Sequence, residues 1–200
     1  MRILYLPNSY SQQRQHEKRA NIYPVLLAMQ AEWYRKQGHE VIWDDNWIRV
    51  CIETKKHDFK DWDFKLITEP ENLPFLTLPR PDRVFTRAKE YTSGNYKYLP
   101  GTHILSANGC YYGKCVFCCE NGIQYEVRPV EDVISEIEEC KSLGFKEVFD
   151  DSASFPMGDW LERFTNLLSK TGVVFSCNMR IGNTIPYNQL KKAGFRMLLF

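Results

Sequence analysis

PVEDVISEIEECKSLGFKEVFDD, residues 129–151, decides the fold class. Val133, Ile137 and Cys140 recur at helical spacing and form one apolar stripe. Acidic residues fill the early turns, where they complement the helix dipole, and Gly144 stops the helix. KEVFDD (146–151) then reads as a strand that ends in two carboxylates. A helix feeding a strand across so short a turn is half of a βα repeat, and the pattern continues on both sides. Downstream come a helix over 159–172 (DWLERFTNLLSKTG), a strand over 173–180 (VVFSCNMR), a helix over 186–194 (PYNQLKKAG) and a strand over 195–200 (FRMLLF). Upstream, HILSA (103–107) is the first strand of the series. Alternating strands and helices of this kind build an α/β fold with a parallel sheet or barrel.

The N-terminal part repeats the pattern on a smaller scale. RILYLP (2–7) reads as a strand, YPVLLAMQAEWYRKQ (23–37) as a helix ended by Gly38, and VIWDD (41–45) as a second strand. In that helix Leu26, Leu27, Gln30, Trp33 and Tyr34 share a face, and Pro24 suits the first turn. FKLITE (64–69) is a further candidate strand. PENLPFLTLPRPDR (70–83) carries four prolines, which exclude a long helix or a central strand. The expected organisation is an α/β unit over 1–69, a proline-rich linker over 70–100 and a second α/β unit over 101–200. FRMLLF ends the sequence on an apolar strand with no helix after it, so the second unit is expected to be the first half of something larger.

Composition narrows the function classes. With 26 Lys and Arg against 25 Asp and Glu the net charge is +1, which gives no electrostatic reason to expect nucleic acid or an anionic membrane. No apolar run approaches the about 20 residues that span a bilayer. The N-terminus turns polar after Pro7, unlike a secretory leader, so a cytoplasmic location is expected. The seven cysteines are an odd set, which argues against a disulfide framework, and four of them lie within residues 110–119.

That cluster reads GCYYGKCVFCCENG, residues 109–122. Four residues separate Cys110 from Cys115, and two separate Cys115 from Cys118. Closely spaced thiolates on one loop suit an iron–sulfur cluster or a zinc ion. Three cysteine ligands leave one iron of a 4Fe–4S cluster open. Zinc would need a fourth ligand, for which Cys119, Cys140 and His103 are the candidates, so the alternative is a non-catalytic zinc-binding or iron–sulfur regulatory module. Cys140 and Cys177 read as core cysteines.

The loop resembles the cluster loop of the radical S-adenosylmethionine (SAM) superfamily. It follows the first strand of a βα series, and an aromatic residue, Phe117, precedes the last cysteine. Its first spacing is one residue longer than the family's most familiar pattern and is similar to that of members with a cobalamin domain. The resemblance covers roughly residues 101–200 and implies a partial radical SAM βα barrel, interrupted after its fourth strand. It implies a 4Fe–4S cluster on Cys110, Cys115 and Cys118, SAM at the open iron, an external reducing electron donor and a substrate of unknown identity. It places candidate SAM contacts at Phe117, Asp150, Asp151, Ser152, Asn178 and Arg180, with Arg180 pairing the SAM carboxylate and Phe117 beside the adenine. Residues 1–69 resemble the opening of a Rossmann-like, cobalamin-binding domain in degenerate form. Asp-x-His-x-x-Gly, which supplies a cobalt ligand in some such proteins, does not occur, and no cobalamin is expected.

Overall fold

A computed structural model describes residues 1–5, 23–44, 64–67, 70–91, 95–180 and 185–200. The chain divides into two compact units, one of Met1–Ala20 with Pro24–Ala88, the other of Asn21–Tyr23 with Lys89–Phe200. Both are mixed α/β with parallel sheets.

In the first unit β1 (Arg2–Tyr5) is central, flanked by β2 (Glu40–Trp43) and β3 (Phe64–Ile67), all parallel. Ile3, Leu4 and Tyr5 are fully buried, as a central strand requires. Helix α1 (Val25–Lys36) starts after Pro24 and ends with Arg35 and Lys36 in its last turn. It buries Leu27, Gln30 and Tyr34, whereas Leu26 and Trp33 from the expected stripe stay half-buried. A polar seam explains why Gln30 is tolerated inside. Gln30 exchanges two hydrogen bonds with the Glu71 backbone, at 2.8 and 3.0 Å, and the Tyr34 hydroxyl donates to Glu71 Oε2 at 2.6 Å. Lys65 pairs with Glu71 from the strand side. Farther along, Arg35 pairs with Asp82 at 2.9 Å and lies over the Phe85 ring at 4.2 Å. Residues 70–88, expected within an extended linker, therefore pack along α1, and the division between units falls at Ala88. The expected ends of the first strands, including Pro7 and Asp45, and also Cys51, lie outside the described residues.

The second unit is a four-stranded parallel sheet in the order β4 (Gly101–Ile104), β7 (Glu147–Asp150), β8 (Val174–Asn178), β9 (Phe195–Leu199). Helices α2 (Val130–Ser142), α3 (Asp159–Thr171) and α4 (Tyr187–Ala193) connect the strands in turn, with α3 packed between α2 and α4. The periodicity of 129–144 is realised almost residue for residue: Val133, Ile137 and Cys140 are fully buried. One face of the sheet is closed by an aromatic cluster. Phe164 of α3 meets Phe175 of β8 at 5.1 Å and Phe195 of β9 at 6.2 Å, with Phe155 completing the group. Edge-to-face rings of this kind add to the burial of their large apolar area.

The opposite face carries buried polar groups among apolar ones. Parallel register puts His103 beside Phe149 and Phe149 beside Ser176. Segment 95–98 crosses it: the Tyr96 hydroxyl hydrogen-bonds His103 Nδ1, and the Lys97 and Tyr98 amides donate to Glu147 Oε2 at 2.8 and 3.0 Å. Gly101 is required here, because a Cβ would stand 2.4 Å from the Tyr96 ring. Glu147 also accepts from Arg196 Nε at 2.7 Å, an ion pair between a buried carboxylate and a half-buried guanidinium at the N-terminal end of the sheet. Among the described residues no helix is long and apolar enough to cross a membrane.

Candidate functional site

The C-terminal ends of β4, β7 and β8 and the connections that leave them form one rim. After β4 the chain makes a corner at Leu105 and Ser106 and enters β5 (Ala107–Asn108), which pairs antiparallel with β6 (Glu126–Val127). This hairpin, absent from the sequence-level expectation, carries the cysteine loop at its tip. Two-residue strands have no periodicity to read. Gly109 makes the entry possible: its φ is +72°, and a Cβ there would meet the Gln124 carbonyl oxygen at 2.5 Å. The base of the hairpin is anchored by Arg128, whose amide donates to the Ser106 carbonyl at 2.9 Å and whose Nη1 donates to the Leu105 carbonyl at 2.8 Å. The Arg128 guanidinium is buried and pairs with Glu136 at 2.6 Å and Asp132 at 2.7 Å, both on α2.

Within the loop Cys110, Cys115 and Cys118 are partly buried and Cys119 is exposed. The Cys118 amide donates to the Cys115 carbonyl at 3.0 Å, so those two cysteines share one turn. Cys110 has the most organised surroundings. Burial pushes its thiol up, but hydrogen bonds from the Gly113 and Tyr112 amides and the Ser154 hydroxyl outweigh burial and hold it below the usual thiol range. Phe117 and Val116 are each 90% exposed, so Phe117 rests against no apolar wall. Cys140 and His103, the zinc alternatives, sit respectively on the buried stripe of α2 and on the sheet face against Tyr96. Among the described residues no three His, Cys, Asp or Glu side chains converge as ready metal ligands.

The other candidate residues separate into a buried clamp and an accessible edge. Asp150 is fully buried: Oδ2 accepts from the Ser106 amide at 2.9 Å and from the Ser106 hydroxyl, and Oδ1 accepts from the Ser152 amide at 3.0 Å. Ser152 Oγ in turn accepts from the Ala107 amide at 2.9 Å. Asp150 and Ser152 thus lock the corner that aims the hairpin. Burial raises the Asp150 carboxyl despite these donors.

Asp151 and Asn178 form the accessible edge. Asp151 reaches solvent on one side and is crowded by protein on the other. That crowding and the Asp150 charge push it up to about 6, against a hydrogen bond from Asn178. Arg180 is exposed, and its Nη1 donates to the Tyr111 hydroxyl at 2.8 Å. Tyr111 also lies edge-on to Tyr125, at 6.2 Å between ring centroids, and the Tyr125 hydroxyl donates to the Ser154 carbonyl at 2.9 Å. Burial raises Tyr125 to about 12, with Asp150, Cys110 and Tyr111 adding to the effect. Ser106, Tyr111, Tyr125, Arg128 and Ser154 complete the site, and sequence pattern alone does not single them out. The one usable signal is position, since Ser106 and Ser154 each lie a few residues beyond a strand that ends at this rim.

No family model matches this sequence, and no curated protein matches it. The functional reading therefore stands on the residues and their arrangement. Three thiols lie on one loop without converging, and thiolates as a class are soft donors.

Proposed function

We propose that the chain binds a 4Fe–4S cluster through Cys110, Cys115 and Cys118, binds SAM beside it, and acts as a radical SAM enzyme or the cluster-bearing part of one. The observation that carries this reading is the position of the loop. Three partly buried thiols leave the C-terminal end of the first strand of a parallel βα series, the end where such sheets carry their ligands. On this reading the second unit is the first half of a βα barrel. The first unit is a reduced Rossmann-like domain, supported by its parallel β2-β1-β3 order, with no cobalamin.

Held by Cys110, Cys115 and Cys118, such a cluster would supply one-electron, radical chemistry on SAM toward a substrate C–H bond. The protein's residues bind, orient and shield. The Gly113 and Tyr112 amides direct their dipoles at Cys110 and favour its thiolate, the form a metal ligand needs. Asp150 and Ser152 hold the β4–β5 corner so that the loop hangs over the rim. Asp151 and Asn178 offer an acceptor and a donor to a ligand's amine or hydroxyl groups. An external donor supplies the electron.

The test is anaerobic reconstitution with iron and sulfide, followed by electron paramagnetic resonance of the reduced protein with and without SAM. A 4Fe–4S signal that shifts with SAM, and is lost in Cys110→Ala, Cys115→Ala and Cys118→Ala, is the expected result. Stoichiometric zinc with no cluster would overturn the reading and leave a structural metal module.

A further inference from the structure

We propose that Arg180 is a positioning residue for the cysteine loop, bracketing Tyr111 and Tyr112 so that the turn after Cys110 is tied to the end of β8. Its consequence for cluster loading rests on the function proposed above; the bracket itself does not.

Arg180 lies two residues beyond β8 and 69 residues from Tyr111 in sequence. Its guanidinium carbon lies 5.1 Å from the Tyr112 ring centroid and 5.5 Å from that of Tyr111, while Nη1 donates to the Tyr111 hydroxyl at 2.8 Å. One planar cation thus makes a directed hydrogen bond to one tyrosine and a cation–π contact to both, a combination that a lysine ammonium reproduces only in part. Tyr111 is held from its other side by Tyr125, which is fastened to Ser154 beyond β7.

The first turn of the loop is therefore fixed to the ends of two neighbouring strands. The second half is held by backbone hydrogen bonds within the loop, from the Gly122 amide to the Gly113 carbonyl at 3.1 Å and from the Cys118 amide to the Cys115 carbonyl at 3.0 Å, with Val116 and Phe117 each 90% exposed. The loop thus divides into an anchor carrying Cys110, tied to strand ends, and a segment carrying Cys115 and Cys118, held by hydrogen bonds within the loop. Arg180 directs one of its five N–H donors to Tyr111, which links it to the loop's framework.

Hydrogen–deuterium exchange of the whole metal-free chain, read by peptide mass spectrometry, tests the bracket. Arg180→Ala is expected to speed exchange in peptides covering 110–117 by about two- to five-fold, the scale of an exposed cation–π contact, and to leave β7 and α2 unchanged. Arg180→Lys should fall between wild type and Arg180→Ala, and Tyr111→Phe should resemble Arg180→Lys. Unchanged exchange in the loop, or equal acceleration in β7 and α2, would overturn the proposal. A second arm follows the rate of cluster loading from iron and sulfide by absorbance. Slower loading in Arg180→Ala than in wild type supports positioning, and equal rates overturn it. A wild-type protein that loads no cluster sinks the proposed function instead, and the exchange arm still decides the bracket.

Discussion

Strand β7 carries a buried acid at each end, and the two are used in opposite ways. Glu147 opens the strand and faces Arg196, so its charge is neutralised by a cation at 2.6 Å and its remaining capacity is filled by the Lys97 and Tyr98 amides and the Ser176 hydroxyl. Asp150 closes the strand and meets only neutral donors among its hydrogen-bond partners, from Ser106 and Ser152. The first arrangement balances charge and fastens strands and crossing segment together. The second meets no cation among those partners, and it adds to the upward push that burial gives Asp151, Tyr125 and, farther into the core, the Cys177 thiol. The end with a charge pair ties strands together; the end without one shifts its titratable neighbours upward.

The sharpest way to break this contrast is to remove each acid in turn and compare unfolding. Glu147→Ala leaves the Lys97 and Tyr98 amides without an acceptor and the half-buried Arg196 without its counter-ion, and should cost about 3–5 kcal/mol in chemical denaturation. Replacing Arg196 by Met in the same background should return part of that loss, because no uncompensated charge then remains. Asp150→Ala leaves two backbone amides without acceptors and should cost less, about 2–4 kcal/mol. If Asp150→Ala proved the more damaging, the C-terminal end would be the structural one and the contrast would be reversed.

The smallest effect sharpens the electrostatic half of the comparison. Asp151 has its pKa raised from 3.8 to about 6, so the folded state holds this proton more tightly than the unfolded chain. Stability attached to the protonated form is present at low pH and is lost as pH rises through that window. Asp151→Asn should therefore melt at a higher temperature than wild type above about pH 6, with the difference vanishing near pH 4. Equal melting temperatures at every pH would mean that solvent on the open side of Asp151 screens it fully.

The α/β class was legible from periodicity, because burying one face of a helix or a strand leaves a repeat in the residue pattern. The stripe of α2 and the boundaries of α3 and α4 were readable to within a residue or two for that reason. The cysteine spacing likewise marked residues 110–119 as one loop, since thiols so close in sequence share a single connection. The β5–β6 hairpin was not legible, being too short for a period. Nor was the packing of residues 70–88 along α1, where prolines announced irregularity but not destination. Within the site, sequence could list Asp150, Asp151, Ser152 and Asn178 as residues near strand ends. Only the folded chain separated the buried clamp of Asp150 and Ser152 from the accessible edge of Asp151 and Asn178. Alternation assigns residues to a strand end, but which carboxylate is sealed and which meets water depends on groups such as Ser106 and Tyr125, brought in by distant parts of the chain. Local pattern determined the elements and the thiols of this protein; tertiary structure alone decided the partners, because hydrogen bonds and burial across 26 to 69 residues of separation leave no periodic trace in the sequence.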